Sequence, residues 1–146
     1  MKPELRSPYD LCQFWQHKAA TKTLIARKEK MAAPKVQKHF VLVHGVYQRP
    51  WSWYKLKPRL GSAGHRVTAL DPAASGINMK AIQDVHTVYE YTEPLLDFLA
   101  SLPPNEKVVL VGHSLGGLNL ALAMDKYPEK VAVGVFMATF MTDTKH

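Results

Sequence analysis

The stretch that most constrains the fold of this chain is "KVVLVGHSLGGLNLALAMDKYP", residues 107–128. Its opening "VVLV" is a β-branched apolar run of the kind that forms a strand buried on both faces. Its second half, "LGGLNLALAMDKYP", is rich in helix formers and closes on a proline. Between the two, Gly112-His113-Ser114-Leu115-Gly116 reads G-x-S-x-G. A strand that passes into a helix through so few residues must turn sharply, and side chains flanking the apex would collide. Gly112 and Gly116 remove those collisions, and Gly117 lets the helix lie close to neighbouring strands. A serine raised on such a turn attacks carbonyl carbons, and the helix N-terminus behind it offers N–H groups to a developing oxyanion. The competing reading is a glycine-rich turn with an idle serine. The strand before it and the helix after it favour the nucleophile. A phosphate-cradling loop shares the geometry, but neither G-x-x-x-x-G-K-[ST] nor G-x-G-x-x-G occurs.

The rest of the chain follows the same grammar from residue 38 onward. "HFVLVHG" reads as a buried strand ending on glycine, "WSWYKLKPRLGSAGH" as a helix closed by glycines, and "RVTALD" as a second strand. "PAASGINM" is turn-rich. "KAIQDVHTVYEYTEPLLDFLASL" is helical, with a fresh helix start at Pro94. "KVVLVG" and "KVAVGVFMATF" complete a set of four strands. Strands alternating with helices predict an α/β domain: a parallel sheet of about four strands with right-handed crossovers and helices on both faces.

The charge is uneven, and its placement excludes some functions. The 146 residues carry a net charge of +7, which in itself would fit nucleic acid or an anionic membrane. Residues 1–38 hold nine Lys/Arg against three Asp/Glu, so the remainder is nearly neutral. The basic leader has no regular aromatic interleaving and no nucleic-acid motif, and no apolar run approaches a membrane span. Neither nucleic acid nor membrane is expected as a partner. Residues 1–36 read as a basic extension, disordered or partly helical across 11–30, and residues 37–146 as the folded domain. One cysteine, Cys12, excludes an internal disulfide and fits a reducing compartment. The expected location is cytoplasmic, or plastid if the leader is a transit peptide.

A serine acylation site needs two N–H donors on the oxyanion, one after the nucleophile and one after a neighbouring strand. Leu115 N–H is the first candidate, and Val46 N–H, just past His44-Gly45, is the second. His44 is expected to hydrogen-bond loop backbone rather than to carry protons. The side chain of His113 should point away from Ser114. Asp71, at the end of "VTALD", reads as a turn cap. His39, His65 and His86 read as surface or core-edge residues.

With these motifs in place the chain resembles the plant methylesterase group of α/β-hydrolases, which includes the salicylic acid-binding esterase and hydroxynitrile lyase relatives. The resemblance rests on "HFVLVHG", "WYKLKPRLGSAGHRVTALDPAASGIN", "EYTEPLLDFLASLPPNEKVVLVGHSLGGLNLALAMDKYPEKVAV" and "FMATFMTDT", and covers the N-terminal half of that fold. It implies hydrolysis of methyl esters of small signalling acids such as salicylate, jasmonate or indole-3-acetate by Ser-His-Asp chemistry, without cofactor or metal. The partner is then a small ester or its carboxylic acid. Lyases of the group tend to have Thr after the first histidine and Glu before the serine. Gly45 and His113 stand there instead, which favours the esterase branch over a lyase-like one. The resemblance also implies that Phe140 lies near the acyl pocket.

Two departures bear on activity. The family loop reads Ala-Cys-His-Gly-Ala, whereas this chain has Val46-Tyr47-Gln48-Arg49-Pro50, with a branched side chain at the carbonyl approach and Pro50 biasing Arg49 away from helix. The family's acid and base follow "FMATFMTDT", and the triad partners of Ser114 are therefore expected to be missing. Asp143 and His146 have the right order but too little spacing on a terminal tail to replace them. The expectation is an esterase impaired in this chain. A non-catalytic ligand-binding or interaction fragment is the other reading, with the last strand left as an edge open to association.

Overall fold

The structure, a computed structural model, describes residues 36–140. The expected helix across 11–30 and the Asp143/His146 pair lie outside the described residues. Four strands form one parallel sheet: β1 (His39–Val43), β2 (Arg66–Leu70), β3 (Val108–His113) and β4 (Val131–Met137), in the order β2-β1-β3-β4. Three helices connect them: α1 (Leu56–Ser62), α2 (Val88–Ser101) and α3 (Gly116–Lys126). The α/β architecture expected from the strand–helix alternation is the one observed.

Strand alternation sorts the core into two layers. Val41 and Val43 of β1 and Val108 and Leu110 of β3 face α2 and α3, where they meet Leu95, Leu96, Leu99 and Leu120. Leu42 and Val111 face the other way, toward Trp53 and the α1 residues Leu56 and Leu60. The central strands β1 and β3 thus bury both faces, which is why β1 reads as an unbroken apolar run.

The chain leaves β1 for β2 on one side, then crosses back past β1 to β3 and on to β4. With right-handed crossovers, that reversal puts α1 on one face and α2 and α3 on the other. The two strands at the reversal, β1 and β3, pair in register with Val43 opposite Gly112. Ligand crevices in open parallel sheets form at the carboxyl ends of such strands. His44-Gly45 and His113-Ser114 are the residues there.

Helix α2 differs from its expected form. It begins at Val88, where Thr87 Oγ1 accepts from Glu90 N–H at 3.1 Å and Glu90 Oε2 accepts from His86 N–H at 2.7 Å. The Thr87 cap, with Glu90 reaching back to the residue before it, sets the start; residues 82–84 form only a 3-10 turn. Pro94 lies inside α2 rather than opening a new helix. Burial of Tyr91 and Thr92 before it, and of Leu95, Leu96 and Leu99 after it, holds the helix continuous across the proline. The last strand ends at Met137, three residues before Phe140. His39 is buried, not at the surface.

Candidate active site

Ser114 sits between β3 and α3 with φ +55°, a left-handed conformation that is strained for any residue with a Cβ. Two backbone bonds hold it there. Its N–H donates to Met137 C=O at 3.3 Å, and its C=O accepts from Gly117 N–H at 3.1 Å. Space around the turn is tight. A Cβ on Gly112 would lie 2.8 Å from Gly116 C=O, and one on Gly116 would lie 2.5 Å from Val43 C=O. Gly116 is thus the residue that brings α3 against β1. Gly117 packs instead against Thr139, after β4, where a Cβ would come within 2.4 Å of the threonine Cβ.

Gly45 brings the loop after β1 against the serine. A Cβ there would lie 2.8 Å from Ser114 Cβ and 3.2 Å from Ser114 Oγ. The next amide along this loop is Val46 N–H. Among the described residues neither Val46 N–H nor Leu115 N–H donates to a backbone carbonyl, and both residues line one cleft of about 530 Å³. Leu115 is the cap residue of α3, so its amide lies at the positive end of that helix.

His44 is fully buried and both its ring nitrogens are engaged. Nδ1 lies 2.8 Å from Gly45 C=O, and Nε2 lies 2.8 Å from Asp71 Oδ1. A carbonyl can only accept, so Nδ1 donates to it, and Nε2 pairs with the Asp71 carboxyl. Asp71 Oδ2 accepts from Ile77 N–H at 3.2 Å. The ring thus braces the loop between β1 and β2. Asp71 serves it as partner as well as capping the turn that follows.

Gln48 was not singled out by the sequence. Its Oε1 faces Gly45 N–H at 3.4 Å and His113 Nδ1 at 3.2 Å, and its own N–H donates to Gly45 C=O at 3.3 Å. One side chain therefore ties the loop carrying Val46 to the residue preceding Ser114. The family loop pattern has histidine at this position, and that replacement was the available signal. Arg49 is extended, with φ −144° and ψ 168°, as the following proline requires. Val46 is 45% exposed at the cleft, and Phe140 is 68% exposed and does not line it.

Among the described residues no histidine nitrogen forms a hydrogen bond with Ser114 Oγ. No group of three or more His, Cys, Asp or Glu side chains among them is arranged to hold a metal ion, and no helix among them is long and apolar enough to cross a membrane.

A left-handed serine between strand and helix, packed against the glycine of a neighbouring strand-end loop, is the turn geometry of serine hydrolases built on parallel sheets. The family described as having the alpha/beta hydrolase fold matches residues 38–146. This chain belongs to the α/β-hydrolase family. Its similarity to plant methylesterases is high. It is 60% identical over 109 residues to salicylic acid-binding protein 2 of Nicotiana tabacum, covering 75% of this chain and 42% of that protein. It is 59% identical over 117 residues to methylesterase 2 of Arabidopsis thaliana, covering 80% and 44%. The crystal structure of polyneuridine aldehyde esterase superposes with a TM-score of 0.73 at 58% identity, covering 75% of this α/β-hydrolase and 43% of that chain. The chain therefore spans less than half the length of these relatives.

Proposed function

We propose that this α/β-hydrolase chain carries the nucleophile and oxyanion hole of a carboxylesterase acting on methyl esters of small acids such as salicylate, jasmonate or indole-3-acetate. The supporting observation is that Ser114, at φ +55°, packs against Gly45, and that the next residue of each segment, Val46 and Leu115, lines one cleft and has an amide that donates to no backbone carbonyl. The ester carbonyl oxygen lies on the two N–H groups. Ser114 Oγ bonds to the carbonyl carbon, the C–OMe bond breaks, and methanol leaves with the serine proton. Water then cleaves the acyl-serine to release the acid. The names of the relatives, a methylesterase and a salicylic acid-binding protein, support the same substrate class. A lyase-like reading fits less well, since threonine at position 45 would press its Cβ to 2.8 Å from Ser114 Cβ.

The described residues bring no base to Ser114 Oγ. A serine without a base in hydrogen-bond reach reacts slower by on the order of 10⁴ to 10⁶. Release of p-nitrophenol from p-nitrophenyl acetate, with Ser114→Ala as the reference, tests the reading. The expected result is a small Ser114-dependent rate that rises when imidazole is supplied as an external base. Identical rates for the two proteins, with and without imidazole, would overturn it.

A further inference from the structure

Arg49 stands where the family loop has glycine, and it changes the electrostatics of the cleft. It lines the 530 Å³ cleft that holds the Val46 and Leu115 amides, and also an adjoining cleft of about 620 Å³. Among the described residues no other Lys, Arg, Asp or Glu lines the first cleft. Arg49 is exposed, and among the described residues it makes no ion pair. Asp71, which lines the second cleft, has one oxygen on His44 and the other on Ile77 N–H, and it forms no ion pair with Arg49. The Arg49 backbone is extended, as the following Pro50 favours, and the residue lines both clefts. A planar fork of N–H donors in that setting pairs with a carboxylate in two parallel bonds.

We propose that Arg49 selects ligands carrying a carboxylate in addition to the ester: monoesters of small dicarboxylic acids. This rests on the esterase reading of the same cleft. The ester carbonyl takes the Val46 and Leu115 amides while the second, ionised carboxyl takes Arg49. A neutral ester of the same shape meets only the amides and leaves the guanidinium unpaired.

The matched pair monomethyl phthalate and dimethyl phthalate tests this by titration calorimetry on the whole chain, without relying on turnover. The protein should bind the monoanion about tenfold tighter than the neutral diester, a ratio set by one charge-assisted bidentate contact. The ratio should shrink as salt is added. It should fall to about one in Arg49→Gln and be reduced without being abolished in Arg49→Lys, which keeps the charge but loses the planar fork. Equal binding of both esters by the unaltered protein would overturn the selection by Arg49 and leave the esterase reading standing. Failure to bind either would overturn both. A preference for the monoanion that survives in Arg49→Gln would place the anion elsewhere and overturn the assignment.

Discussion

At the scale of single residues, the site is built by what is left out as much as by what is present. Gly45 has no room for a methyl group, because Ser114 Cβ would be 2.8 Å away. Gly45→Ala should destabilise the fold by about 1–3 kcal/mol, as overpacking does. It should also remove Ser114-dependent p-nitrophenol release, because the serine must move. The buried His44–Asp71 pair is the second residue-scale device. His44→Ala strands a carboxylate whose side chain is 6% exposed, and should cost about 3–5 kcal/mol in urea unfolding. His44→Ala with Asp71→Ala should cost less than the sum of the single changes, since the pair fails as a unit. Ser114, Gly112 and Gly116 were legible in the sequence because their constraint is local, five residues deep. The His44–Asp71 and Gln48–His113 contacts were not. They join residues 27 and 65 positions apart, and only the sheet order brings them together.

At the scale of elements, α2 shows how a helix boundary is set. Strong helix formers from residue 80 onward extend the expected helix upstream, yet the Thr87 cap begins it at Val88. The Thr-x-x-Glu spacing is a local signal that outweighs the helix propensity upstream of it. Thr87→Ala should cost about 1 kcal/mol, while Thr87→Ser, which keeps the hydroxyl, should cost little. The urea midpoint of each variant measures this. Pro94 illustrates the opposite error. A proline in a sequence marks a boundary only when packing does not override it, and here buried residues on both sides do. The far end of α2 is closed from outside the helix: Lys130 Nζ donates to Leu102 and Pro103 carbonyls at 2.8 Å each. That contact is tertiary and invisible to local reading.

At the scale of the whole molecule, alternation of strands and helices was sufficient to give the parallel sheet and its two covered faces. The sheet order follows from handedness once the helices are assigned to faces. The last strand was expected as an open edge, and along β4 Val133, Val135 and Met137 are 51%, 37% and 42% exposed. At the opposite end of the sheet from the site, His39 of β1 couples stability to pH. Burial, and then the nearby Arg66 guanidinium, hold its pKa below the usual 6.5. Its ring nitrogens lie 2.8 Å from Thr68 Oγ1 and Glu106 Oε1. The unfolded chain takes up this proton first as pH falls, so stability declines from about pH 6.5 down through the folded-state value. Unfolding free energy measured across that window should fall less steeply in His39→Asn than in the unaltered protein.

The central claim is that Ser114 and the Val46 and Leu115 amides form a working nucleophile and oxyanion hole. Boron-11 NMR with phenylboronic acid tests it without needing a general base. Addition of Ser114 Oγ converts trigonal boron to a tetrahedral adduct whose oxygen occupies the oxyanion position. The account predicts a tetrahedral boron signal with the unaltered protein and its loss in Ser114→Ala. A boron signal that stays trigonal in both, with the protein folded, would contradict it.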